Sequence, residues 1–371
     1  MINWRDGVVV SLGREWHGAL ETTVRTPDGS ELRALAYPAL VGRPAEGDRV
    51  LLNTTALDRS LGTGGYALVT ALPDALPQAP PQGPGHLVKA RYTPLQTMVL
   101  GVDEQESEHH ETLREADSLD GMPVVVADLH SALPAIVAGV RAQAPDARIA
   151  YVMTDGGALP AWFSRTVAQM RDEDLIASCL TVGQAFGGDL EAVTVHSGLL
   201  AAKHVVGADV AVVAQGPGNL GTGTRWGFSG VVAGEVVNAV ATLGGAPVAS
   251  LRVSASDARS RHVGVSHHST TAYGRVALAA ADVVVPEFDE TIEVPATLGG
   301  PSGLNALVDE QVTPLAARHR LVRRAAGAPL LETLRRSPVR MSSMGRNLDA
   351  DPTPFLAVAA AGEHAATLLR R

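Results

Sequence analysis

Over residues 1–72 apolar and polar positions alternate in short runs: Gly7–Leu12, Ala19–Thr26, Leu32–Tyr37, Arg49–Thr54 and Tyr66–Leu72. Turn signals such as Pro27-Asp28-Gly29 and Glu46-Gly47-Asp48 separate them. A period of two, bounded by turn residues, predicts half-buried strands. Five of them predict a small β-barrel, read as a docking or dimerisation module. The glycine-rich stretch Leu61–Gly65 has no helix after it and is read as a hairpin loop. Residues 73–85 (PDALPQAPPQGPG) then lose all periodicity. Their prolines remove backbone donors and favour extended chain, which predicts a linker and a domain boundary.

Residues 86–102 read as one further strand region, and Glu104–Glu111 as the start of a polar helix. Adjacent residues on a helix face different ways, so the pair His109 and His110 there reads as part of a solvated face before it reads as a metal site. From Pro123 the pattern changes to Val-rich runs separated by helix-length segments: Met122–Ala127, Arg148–Met153, Ile176–Val182, Asp209–Ala214, Pro247–Val253 and Val283–Pro286. Continuous apolar runs of this length are buried on both faces, as in a parallel sheet. Helices are expected up to Gln143, from near Pro160, over 231–243, over 270–281, and at the end of the chain over 309–326 and 352–370. The fold class is therefore α/β, a doubly wound, mostly parallel sheet preceded by the barrel. The domains are 1–72, a linker at 73–85, and 86–371 with a C-terminal helical extension.

Composition narrows the function classes. A length of 371 residues fits about two domains. Aromatics at 4% mean that the core is packed mainly from Val, Ala and Leu. A net charge of −9 argues against nucleic acid as the partner, because that role needs a basic footprint. The single cysteine, Cys179, allows neither a disulfide framework nor a thiolate zinc site within the chain and reads as a buried, inert thiol. With no apolar stretch long enough to cross a bilayer and no signal-like start, the expectation is a cytoplasmic protein without a membrane partner, and a homodimer is a reasonable assembly.

In open parallel sheets ligands bind outside the carboxyl ends of the strands, where backbone amides and helix N-termini point. Polar, glycine-containing loops gather at those ends. Gly216-Pro217-Gly218-Asn219-Leu220-Gly221 matches G-x-G-x-x-G after a predicted strand. No helix resumes directly, and no acidic residue ends the next strand at the spacing of about 20 residues that a dinucleotide fold uses; Asp257 comes much later. The lysine of a phosphate-binding Walker loop is missing too. Anion binding by exposed amides of Gly216, Gly218 and Gly221, helped by Thr222, Thr224 and Arg225, is the better reading. The densest polar segment is 254–269, SASDARSRHVGVSHHS. In one reading it supplies a divalent metal site from His262, His267 or His268 with Asp128, His130 or Asp155 of neighbouring loops. In another, Arg259 and Arg261 clamp a small anionic molecule while His262, His267 or His268, with Asp257 and Asp155, handle protons. In a third, the segment is a salt-bridge network that fixes its own loop. Asp155 can equally cap a helix, and His196 can be an ordinary boundary residue. No serine sits in a G-x-S-x-G elbow, which leaves a hydrolase triad without support. Eight arginines between Arg318 and Arg346 face one acidic residue, Glu332, and read as a partner patch or as a clamp on the protein's own acidic surface. The whole chain is thus either an anion-binding protein or enzyme, or a non-catalytic scaffold using the barrel and this arginine segment.

The segments HLVKARYTPLQ (86–96), GQAFGGDLEAV (183–193), GPGNLGTGT (216–224) and RHVGVSHHS (261–269) resemble the bacterial domain-of-unknown-function 3866 family over nearly the full chain. The family is uncharacterised, so the resemblance implies no catalytic residue, cofactor or partner.

Overall fold

The computed structural model describes residues 1–78 and 83–369. Residues 79–82 of the expected linker, and residue 370 of the last expected helix, lie outside the described residues. The chain forms two compact units: Met1–Leu100 with Trp162–Ala168, and Gly101–Ala161 with Gln169–Arg371.

In the first unit β1 (Trp4–Trp16), β2 (Ala19–Arg25), β3 (Glu31–Ala36), β4 (Arg49–Asn53) and β5 (Ala67–Ala71) close a barrel in the order β1-β2-β3-β5-β4. A short helix, α1 (Pro38–Val41), follows β3. The barrel forms because alternate residues point inward: Val9, Val24, Ala34, Val50, Leu52, Ala67 and Val69 make one buried cluster. Shifts of register within β1 bend this long strand around the closure. The segment read as one strand is instead a hairpin of β6 (Leu87–Lys89) and β7 (Thr97–Val99). Pro94 and the polar residues beside it break the run between them.

The second unit begins with turns where a polar helix was expected. Only α2 (His110–Leu113) is helical there, and Ser107 and His110 bond back to the backbone of Val102 and Asp103. Then follow β8 (Pro123–Val126), α3 (Leu133–Gln143), β9 (Ile149–Thr154), α4 (Arg165–Asp172, shared between the units), β10 (Ser178–Thr181), β11 (Leu190–Glu191), α5 (Val195–His204), β12 (Val210–Gln215), α6 (Val232–Thr242) and β13 (Ala246–Ser250). A two-residue antiparallel pair, β14 (Val253–Ser254) and β15 (Gly264–Val265), precedes α7 (His267–Thr271), which runs into a π-helical turn at Ala272–Val276. The unit ends with β16 (Asp282–Glu287), α8 (Gly300–Val312), β17 (Arg320–Ala325), α9 (Ala328–Arg335) and α10 (Thr353–Leu368).

Eight strands form one sheet, β11-β10-β9-β12-β8-β13-β16-β17, and every neighbouring pair is parallel. Every residue of β8, β9 and β12 is buried, as their unbroken apolar runs require. Both α6 and α10 pack on β8 and β13, on opposite faces, so the sheet is doubly wound. Helix α10 lies along α3 at very close range. A Cβ at Gly139 would sit 2.0 Å from Ala359 O, and one at Gly362 would sit 2.1 Å from Ile136 O.

Two strands of this sheet were not expected. β11 has two residues, too few for a pattern. β17 falls inside the helix expected over 309–326, which in fact stops at Val312. No helix among the described residues is long and apolar enough to cross a membrane.

The strand order positions the site. From β8 the chain adds β9, β10 and β11 on one side and later β13, β16 and β17 on the other, with β12 filling the gap beside β8. The crevice at the carboxyl ends of β12, β8 and β13 is the reversal point at which ligands bind in such sheets.

Candidate functional site

Three loops converge on that crevice. After β8 comes Asp128, only 5% exposed. After β12 comes the glycine loop, braced by buried Gln215, whose Nε2 donates to Asp128 O at 3.1 Å, Gly218 O at 3.3 Å and Asn219 Oδ1 at 3.1 Å. After β13 comes the histidine-arginine segment, tied to β8 where Tyr273 Oη and Ser250 Oγ both donate to Val126 O. The glycine loop and the histidine segment touch: the Phe228 ring stacks on His268 with centroids 3.9 Å apart and planes within 1°.

His262, His267 and His268 form one group, each offering a nitrogen within 4.8 Å of the others. Ser266 organises them. Its hydroxyl caps α7 by accepting from His268 N and lies 2.7 Å from His262 Nδ1. Asp128 Oδ2 stands 3.7 Å from His268 Nδ1. Burial, reinforced by Arg252 and Arg259, pushes His262 down to about 3. Burial, then His268 and the nearby arginines, pushes His267 down to about 4. Both rings are thus neutral at neutral pH and present lone pairs.

An open cleft of about 680 Å³ adjoins this group. Arg225 of the glycine loop, Arg261 and His267 of the histidine segment, and Arg275 of the π-helical turn all line it, with Gly223 and Thr271. Among the described residues, Arg225, Arg261 and Arg275 take part in no ion pair or hydrogen bond. Gln311 closes another wall, holding the strand before α7 through Val265 N at 2.6 Å and Val263 O at 3.2 Å.

The remaining expected residues have other surroundings. Asp257 is the hub of a clamp: Arg259 binds it through two bonds of 2.9 and 3.0 Å, Arg346 reaches it at 3.2 Å and Arg252 at 3.8 Å. These partners hold its carboxyl far below the usual range in spite of its burial. Asp257 and Arg259 thus satisfy each other. Asp155 is exposed at the end of β9 and accepts from Gln184 N at 2.8 Å, fixing the next loop. His130 is not part of the histidine group. Its Nδ1 lies 3.1 Å from Tyr151 Oη, and burial pushes it down to about 4. His196 is exposed in the first turn of α5.

Within the glycine loop, Gly216 is needed for close packing, since a Cβ there would meet Ala158 O at 2.4 Å. Gly218 takes a positive φ of 93°. Gly221 bridges to Phe228, and Thr222 and Thr224 bond to each other and to the backbone of Gly227. The two threonines therefore shape the loop that carries Arg225. Cys179 is free and buried, its thiol pushed up by burial.

Sequence reading missed Arg275, which lay in an expected helix where a lone arginine reads as solvated surface. It also missed Phe228, whose stacking on His268 leaves no local pattern. The arginine-rich segment is largely occupied within the unit: Arg320 pairs with Asp282, Arg323 with Asp309, Arg335 with Glu332, and Arg324 bonds His364 and Thr367.

Fold and site together describe a barrel-bearing, doubly wound α/β protein with a histidine and arginine crevice at the switch point of its sheet. The chain belongs to the family described as "Protein of unknown function (DUF3866)", whose model matches residues 33–362. No curated protein matches the chain.

Proposed function

We propose that the protein binds a small anionic molecule bearing a phosphate or carboxylate group in the cleft beside the histidine group. One observation carries this reading: three guanidinium groups, Arg225, Arg261 and Arg275, surround one cleft, and among the described residues none is neutralised by a carboxylate. In a chain of net charge −9, gathering unpaired cations around a concavity concentrates attraction for an anion at that place. Planar guanidinium forks suit phosphate and carboxylate oxygens, and such bonds are about twice as strong as neutral ones. The cleft volume of about 680 Å³ lies within the range of small-molecule sites. A cytoplasmic metabolite is the natural candidate for a protein whose one cysteine stays a buried free thiol.

The test is calorimetry of the full chain with inorganic phosphate, pyrophosphate and a dicarboxylate, beside an uncharged analogue of similar size. At least one anion is expected to bind while the uncharged analogue does not. Replacing Arg225, Arg261 or Arg275 singly with Ala is expected to weaken binding about tenfold or more, given roughly 1.5–3 kcal/mol for a hydrogen bond to a charged group. Absence of binding by every anion, or a triple variant that binds as the parent does, would overturn the proposal.

A further inference from the structure

We infer that His262, His267 and His268 form a binding site for a divalent first-row transition-metal ion of the zinc type, with Asp128 as the carboxylate behind His268. Three imidazoles on one short stretch already lie with nitrogens within 4.8 Å of one another. Zinc–nitrogen bonds of about 2.1 Å require this spread to close by roughly an ångström, a side-chain adjustment.

A second, independent observation points to a missing ligand. Asp128 Oδ2, His267 Nε2 and His268 Nδ1 are buried atoms that make no hydrogen bond among the described residues. Asp128 and His268 are 5% and 7% exposed. Buried polar groups are almost always satisfied, and an orphaned imidazole nitrogen on His267, beside two further imidazoles, is costly unless something binds it. Each orphan has a role in a metal site. A ligating imidazole characteristically gives its other ring nitrogen to a carboxylate, and His268 Nδ1 faces Asp128 Oδ2 at 3.7 Å. Ser266 sets the His262 ring from Nδ1 at 2.7 Å in the same manner. Imidazole with little carboxylate selects zinc, iron, nickel or copper over magnesium or calcium, which prefer oxygen cages. Three protein ligands leave a coordination position open, as in catalytic rather than structural zinc sites. His267 borders the arginine cleft, so that position adjoins the proposed anion site.

Because the two sites share only His267, their failures are distinguishable. The experiment uses the full chain prepared without a histidine tag, stripped with chelator, and titrated with Zn²⁺ alone in a buffer free of phosphate. About one ion per chain is expected, and Co²⁺ substitution should give visible d–d absorption of a low-coordinate site. His267→Gln and His268→Ala should each weaken Zn²⁺ binding at least about 100-fold. Asp128→Asn should weaken it about 10–100-fold, as loss of a supporting carboxylate does. Melting of each variant in chelator shows whether it is folded, and His267→Gln, at a half-buried position, is the variant most tolerant of substitution. No stoichiometric ion, or unchanged affinity in folded His267→Gln, overturns the metal site. Phosphate binding by metal-free protein would in that case leave the cleft reading intact.

Discussion

His319 is buried and uses both ring nitrogens. Nε2 donates to Tyr273 O at 2.8 Å, and Nδ1 accepts from Ala281 N at 3.2 Å, so the ring joins the π-helical turn to the strand that follows it. This arrangement requires the neutral form. Burial, helped by the neighbouring Arg318 charge, depresses its pKa against the opposing pull of the Tyr273 carbonyl. The nearby Tyr273 hydroxyl is turned away to Val126 O. A histidine depressed in the folded state contributes stability that is fully present above its unfolded value of about 6.5. That contribution is lost as pH falls toward the folded value, because the unfolded chain takes the proton first. Urea denaturation across pH 4.5–8 is therefore expected to show His319→Gln with a shallower loss of stability below about pH 6.5 than the parent. At neutral pH, His319→Ala should cost roughly 1–3 kcal/mol for each backbone group left unsatisfied. Equal slopes for parent and Gln variant would remove His319 from the acid response. The same scale shows what residue types disclose. The sequence marks residues 254–269 as unusually ionisable, and three of its histidines do converge. It cannot show that Asp257 and Arg259, two apart in a loop, turn toward each other while Arg261 turns out to the cleft.

Elements were legible where one physical pattern dominated. The five barrel strands follow period-two alternation, and β8, β9 and β12 follow from apolar runs buried on both faces. β17 was hidden because an edge strand needs little apolar content: Arg-Leu-Val-Arg-Arg-Ala keeps arginines at its exposed positions, where Asp282 and Asp309 pair with them. After an actual helix, such a run reads as more helix. Helix α10 shows the reverse case, an Ala-rich segment expected as a helix whose packing partner left no pattern in the sequence. Its contact with α3 depends on the absence of side chains at Gly139 and Gly362. In a solvated helix Gly→Ala gains up to about 1 kcal/mol. At Gly362 the added Cβ would meet Ile136 O at 2.1 Å and Val140 N at 3.0 Å, and backbone cannot swing aside as a side chain can. Gly362→Ala is expected to lower stability by roughly 1–3 kcal/mol or more through helix separation. Chemical denaturation reads the sign directly, and a gain would mean that the two helices do not pack this closely.

At the scale of the whole molecule, the first unit is discontinuous in sequence. It runs through Leu100 and takes in Trp162–Ala168 from far along the chain. Composition and periodicity divide a sequence into contiguous pieces, so the Pro-rich stretch at 73–85 was visible and this return was not. The return is tied in by specific contacts. Trp162 lies 6.1 Å from the Tyr37 ring centroid to centroid, its carbonyl accepts from Trp16 Nε1 at 2.7 Å, and with Phe163 it covers the cluster of Ala19, Leu35, Tyr37 and Tyr66. Removing a buried tryptophan costs roughly 3–5 kcal/mol, and a half-buried one falls toward the lower end. If the barrel's stability draws on this returning segment, scanning calorimetry of Trp162→Ala in the full chain will show the transition of the first unit moved down by several degrees. Where the transition of the second unit lies in the same scan shows whether the barrel unfolds on its own. A variant in which both transitions move together would mean that the barrel does not unfold on its own. One in which neither moves would mean that the five strands suffice and that the returning segment only rests on them.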